Sequence, residues 1–124
     1  MTVEGSYRYA GKDKNIVLID LFEDDLAINA FSVSNLLLQL IKDSQLKIIL
    51  NCEQVKRITS SGLGMLVGIY KQIRERGGQL VLLNLFPHIV DIFVETHLST
   101  LFPMFDNKDD AIKALEEGTL NLND

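Results

Sequence analysis

The sequence predicts an α/β domain with a mixed, largely parallel sheet of about four to five strands and helices packed against it. Two patterns point there. Short apolar runs at residues 16–22, 47–51 and 79–83 have strand length and strand composition. Between them lie longer segments whose apolar residues recur at helical spacing. Strands alternating with helices in this way argue for parallel pairing through helical crossovers. The 124 residues read as one domain, residues 1–124, with a loose tail over 118–124.

Taken in order, Tyr7 and Tyr9 open a first strand, and residues 16–22 form a second. The loop Gly11-Lys12-Asp13-Lys14-Asn15 between them is rich in turn formers, so an antiparallel hairpin is expected. The acidic cluster Glu23-Asp24-Asp25 reads as a solvated bend, because three adjacent carboxylates repel and no further ligand stands near. From Asn29, a candidate N-cap, the period turns helical, with Val33, Leu36, Leu37, Leu40 and Ile41 on one face and Lys42-Asp43-Ser44 at the exit. Lys47-Ile48-Ile49-Leu50-Asn51 is apolar on both faces, as a covered central strand is.

The clearest helix runs over 61–76. Leu63, Leu66, Val67, Tyr70 and Ile73 line it, Lys71, Arg74 and Arg76 suit its last turns, and Gly77-Gly78 stops it. Another apolar strand follows at 79–83. Pro87 then opens a helix carrying Ile89, Val90, Phe93 and Val94. Residues 101–105 form a strand that Pro103 confines to a sheet edge. Asp106 or Asn107 caps a last helix bearing Ala111, Ile112 and Leu115.

Composition narrows the function. Hydrophobic residues make up 47% and charged residues 23%, as in soluble globular domains, and the net charge is −5. Without a basic stripe, nucleic acid is not an expected partner. No apolar stretch is long enough for membrane insertion, and the start MTVEGSYRYAGKDK has no signal-peptide core, so a cytoplasmic, reducing location is expected. The single cysteine, Cys52, reads as a small core residue, and His88 and His97 as surface or helix-end residues. No nucleophile elbow, phosphate loop or carboxylate pair can be assembled, so neither catalysis, a metal nor a cofactor is expected. Gly62, Gly64 and Gly68 superficially suit a dinucleotide fingerprint, but about ten residues separate them from the preceding strand and the ribose-binding acid is missing.

One segment has a recognisable physical task. Ile58-Thr59-Ser60-Ser61-Gly62-Leu63-Gly64 sets two serines at the start of the longest helix. Free N–H groups and the dipole favour an anion there by about 0.3–1 kcal/mol when exposed. The plainer alternative is that Ser60 or Ser61 is the N-cap, worth about 1 kcal/mol.

The stretch ITSSGLGMLVGIYKQIRERGGQLVLLNL resembles the core of the STAS domain family, specifically the bacterial anti-sigma factor antagonists. Their mark is Asp-Ser-Ser-Gly-Leu-Gly or a close variant, then an amphipathic helix, a glycine turn and an apolar strand. HLSTLFPMFDNKDDAIKAL is similar to the family's closing pattern, and the likeness extends more loosely over residues 5–115. The resemblance implies a non-catalytic switch protein. Ser60 takes the position of the phosphorylated serine, and Thr59, Ser60, Ser61, Gly62, Leu63 and Gly64 form the partner-binding surface. The implied partners are an anti-sigma factor serine kinase of the histidine-kinase-like ATPase fold and a serine phosphatase. Unphosphorylated, the chain would bind the kinase and free a sigma factor. Ser61, nearer the helix interior, is expected to have its hydroxyl held by backbone. Two departures stand out: Thr59 replaces the motif's Asp, and Phe22-Glu23-Asp24-Asp25 replaces the glycine usual after the second strand. The Thr59 departure keeps open an accessory STAS module of a transporter or stress-signalling assembly, without phosphorylation, and the loop at 22–25 would present a different binding surface.

Overall fold

The computed structural model describes residues 7–118. Its elements are β1 (Tyr7–Ala10), β2 (Ile16–Asp20), α1 (Ala30–Lys42), β3 (Lys47–Asn51), α2 (Ser60–Glu75), β4 (Gln79–Leu83), α3 (Pro87–Glu95), β5 (Met104–Phe105) and α4 (Lys108–Glu117). The five strands form one sheet in the order β1-β2-β3-β4-β5. The β1–β2 hairpin is antiparallel and the remaining pairs are parallel, with Ile16 opposite Lys47 and Lys47 opposite Gln79. This is the predicted mixed sheet. Residues 119–124, most of the expected loose tail, lie outside the described residues.

Side-chain alternation along the strands divides the core into two layers. Val17, Ile19, Ile48, Leu50, Leu80 and Leu82 face α1, α2 and α3, where Leu37, Leu66 and Phe93 are fully buried. Ile16, Leu18, Ile49, Val81 and Leu83 face the other way, onto Ala111 and Leu115 of α4. Helices on both faces explain why the central strands are apolar throughout. Phe102 closes the larger layer, edge-on to Phe93 at 5.8 Å and to Tyr70 at 5.4 Å. Such pairs add about 0.5–1.5 kcal/mol each beyond the area they bury.

The ends of the elements follow their capping chemistry. Asn29 precedes α1 as expected, although its side chain makes no capping bond. Asn107 caps α4 by accepting the Asp110 N–H at 3.0 Å, and Gly118 ends that helix in the left-handed region at φ 67°. The strand expected over 101–105 shortens to two residues, because it begins only after Pro103, which has no N–H for the ladder. In α3 the apolar set exceeds what the core takes. Ile89 and Phe93 are buried, whereas Val94 is half exposed and Val90 only partly covered. Among the described residues no helix is long and apolar enough to cross a membrane.

Candidate functional site

The site is the start of α2 and the turn that leads from β2 into α1. Thr59 has extended backbone (φ −105°, ψ 170°), and its Oγ1 accepts the Gly62 N–H at 3.2 Å. Thr59 is therefore the N-cap, where Ser60 or Ser61 had been expected, and α2 begins one residue before the predicted 61. A β-branched hydroxyl in extended conformation suits a cap, and this is the position of the motif's missing Asp. Its carbonyl accepts the Leu63 N–H at 2.9 Å.

With the cap assigned to Thr59, both serines are released from that work. Ser60 and Ser61 occupy the first two helical positions, both exposed. Neither hydroxyl has a hydrogen-bond partner among the described residues, so the expectation that backbone would hold the Ser61 hydroxyl is not met. The reason is geometric: at the second position of a helix no preceding turn offers a carbonyl to bond back to. The same geometry leaves their N–H groups without intrahelical acceptors. The two serines differ in surroundings. Ser61 lines a surface depression of about 660 Å³ with Thr59, Ala27, Ile28 and Phe31, and an adjoining one with Ser34 and Met65. Ser60 lines neither.

The helix start is fastened to the β2–α1 turn by its main chain. The Thr59 N–H donates to the Leu26 carbonyl at 3.1 Å, and the Lys56 N–H to the Glu23 carbonyl at 3.3 Å. Gly62 is buried against that same Leu26 carbonyl, and a Cβ at Gly62 would lie 1.9 Å from its oxygen. Arg57 pairs with both Glu23 and Asp24. Leu63 packs against the core, whereas Gly64 is exposed and a Cβ there would meet nothing within 4 Å. The six expected surface residues thus separate. Thr59, Ser60, Ser61 and Gly64 are exposed, Leu63 is half-buried, and Gly62 is an internal contact.

The bend expected to be wholly solvated is not. Glu23 is exposed, but Asp25 is fully buried and its Oδ2 accepts the Phe22 N–H at 2.7 Å. Its Oδ1 has no hydrogen-bond partner among the described residues. The carboxylate turns inward because the chain leaving β2 presents an N–H that needs an acceptor. Burial pushes the Asp25 carboxyl above its ordinary value of 3.8, and the Phe22 N–H and the Asn29 side chain offset this only in part. A carboxyl raised on folding binds its proton more tightly in the native state. Its stabilising contribution is fully present below the unfolded value and is lost as pH rises through the folded one. Wild type should therefore gain on Asp25→Asn as pH falls from neutral toward about 4, read as the difference between their melting temperatures. A difference independent of pH would show that the group titrates normally.

Sequence reasoning missed Ile28 and Phe31. They are 82% and 77% exposed and stand beside Ser61. The signal was present, since Phe31 falls outside the α1 set of Val33, Leu36, Leu37, Leu40 and Ile41 and must point away from the core. Cys52 is fully buried, and desolvation pushes its thiol up to about 12, which leaves it an unreactive core residue. His88 and His97 are exposed, and the His88 Nε2 lies 2.9 Å from the Lys56 carbonyl.

A hairpin-led parallel sheet, with a serine pair at the exposed start of α2, defines a STAS domain. The family's model matches residues 10–111, and the chain belongs to that family. Over 69 residues it is 30% identical to the anti-sigma F factor antagonist of Paenibacillus polymyxa, covering 56% of this chain and 59% of that one. The chain spans about three-fifths of the length of the curated relatives it matches. Among solved structures, the unphosphorylated anti-sigma factor antagonist SpoIIAA superposes with a TM-score of 0.75 at 21% identity, covering 90% of this chain and 96% of that one. The phosphorylated form of SpoIIAA, a Bacillus cell fate determinant, gives 0.64 at 24%, covering 86% and 96%. At these identities the structural likeness is one of fold.

Proposed function

We propose that this chain is an anti-sigma factor antagonist that works by partner switching, with Ser60 as the phosphoacceptor. Unphosphorylated, it binds an anti-sigma factor serine kinase of the histidine-kinase-like ATPase fold and so frees a sigma factor. Phosphorylation of Ser60 releases it and a serine phosphatase resets it, all in the cytoplasm. The observation that carries this reading is the exposed Ser60 hydroxyl at the first position of α2, relieved of capping by Thr59. The Thr59 departure from the motif's Asp is compatible with the cycle, because threonine supplies the cap that keeps the serines free. With the cognate kinase and ATP, peptide mapping should place the phosphoryl group on Ser60. Modification of Thr59 would overturn the assignment, and no incorporation would favour the accessory-module reading.

The exposed apolar shelf supports Ser60 over Ser61 as the acceptor. A partner seated on Ile28 and Phe31 covers the depression that Ser61 lines, whereas Ser60 lines neither depression and stays accessible. Exposed aromatic and aliphatic side chains beside a functional residue are the usual anchors of an interface. Phe31→Ala with Ile28→Ser should weaken kinase binding by about 1–3 kcal/mol. The melting temperature should hardly move, because both side chains are largely outside the fold. Calorimetric titration checks this, and unchanged affinity would place the docking face elsewhere.

A further inference from the structure

We propose that a second surface, the groove bounded by α3, β5 and the start of α4, docks a cationic peptide segment studded with apolar side chains from a partner protein. The groove has a volume of about 530 Å³ and lies among residues the Ser60 face does not use. Leu85, Pro87, Val90, Met104 and Phe105 give it apolar walls. Asp91, Asp106 and Asp110 stand around them, all exposed. None of the three has an ion pair among the described residues, and Lys108 in the same stretch pairs with none of them.

Two separate features meet here. The apolar one is a surplus: α3 carries more hydrophobic residues than the core accepts, and Val90 turns its partly covered side chain into the groove. The charged one is single-signed, three unpaired carboxylates around an apolar floor. Acids beside an edge strand have a simpler use, since they discourage strand-to-strand aggregation, and β5 is the edge of this sheet. Edge protection does not require an apolar groove between two helices, and α4's own need for acid in its first turn is already met by Asp109. Apolar walls ringed by carboxylates are complementary to a segment that carries Leu-type anchors and Lys or Arg together. An anionic segment or a nucleic acid would be repelled.

The test uses the full chain, labelled with nitrogen-15, and two synthetic helical peptides. One has leucines at i, i+3, i+4 and i+7 with lysines elsewhere, and the other has glutamate in place of every lysine. At physiological salt the lysine peptide should shift amide resonances of residues 85–91 and 104–110. Asp91→Asn, Asp106→Asn and Asp110→Asn together should weaken it about tenfold. Asp91→Lys alone, on an exposed helix face, should weaken it in the same direction and guards against misfolding of the triple variant. Phe31→Ala with Ile28→Ser should leave this binding unchanged, which separates the groove from the Ser60 face. The proposal is overturned by no binding, by shifts spread over the surface or centred on residues 28–31, by equal binding of the glutamate peptide, or by affinity indifferent to the aspartates.

Discussion

Gly62→Ala should destabilise the protein by about 3 kcal/mol or more, the upper end of what overpacking costs. The added methyl group would sit 1.9 Å from the Leu26 carbonyl oxygen and 2.7 Å from its carbon. Both are backbone atoms, so no rotamer change relieves the contact. Either α2 moves outward, losing burial of Leu66 and Ile69, or the turn shifts and the Thr59 N–H bond to Leu26 is lost. Gly64→Ala makes the control. Nothing lies within 4 Å of a Cβ there, and alanine is favoured over glycine inside a helix by about 1 kcal/mol. The two alanines, two residues apart in one motif, should move denaturation midpoints in opposite directions. Gly64→Ala should also test the partner face, since a partner in close contact with the exposed glycine would lose affinity although the domain gained stability. If Gly62→Ala proved neutral, the close approach of α2 to the β2–α1 turn would be wrong.

That contrast marks what the sequence makes legible and what it does not. The order of strands and helices was readable because each element carries its own period, as in the apolar face from Val33 to Ile41 and the doubly apolar strand from Lys47 to Asn51. Features that depend on a distant segment were not. The motif's glycines look alike in one dimension, and only the Leu26 carbonyl, contributed by another turn, separates Gly62 from Gly64. The three consecutive hydroxyls at 59–61 all suit an N-cap, and the choice of Thr59 follows from its main-chain tie to Leu26. Asp25 lies between an acid and a leucine, and its inward turn answers an N–H that only the fold leaves unpaired. Ile28 and Phe31 were within reach, since a large apolar residue off the buried face of a helix already asks for a partner.

Phosphorylation of Ser60 should remove binding to the kinase while leaving the domain folded, and this is the largest functional effect expected. Within the domain the phosphate has little to disturb. Ser60 is exposed, its hydroxyl has no bond to lose, and free N–H groups at the start of α2 favour a negative charge. Arg57, three residues before Ser60, is already paired with Glu23 and Asp24 and is not waiting to bridge to the phosphate. At the partner face the balance is different. On the proposed reading, the modification adds about −1.5 to −2 charge next to Ser61, beside the proposed apolar contact on Ile28 and Phe31. Where the bound partner closes over it and leaves it unpaired, such a charge costs about 3–5 kcal/mol, enough to weaken binding by about two to four orders of magnitude. Ser60→Asp, with one charge and a planar head, should reproduce part of that loss, and Ser60→Ala should bind and resist release by ATP. All four forms, the unmodified protein included, should melt within a few degrees of one another. Calorimetry on the unmodified, phosphorylated and substituted proteins decides the matter. Equal affinity of the phosphorylated and unmodified forms would end the switch mechanism, and a large drop in melting temperature on phosphorylation would show that release works through the fold instead of the surface.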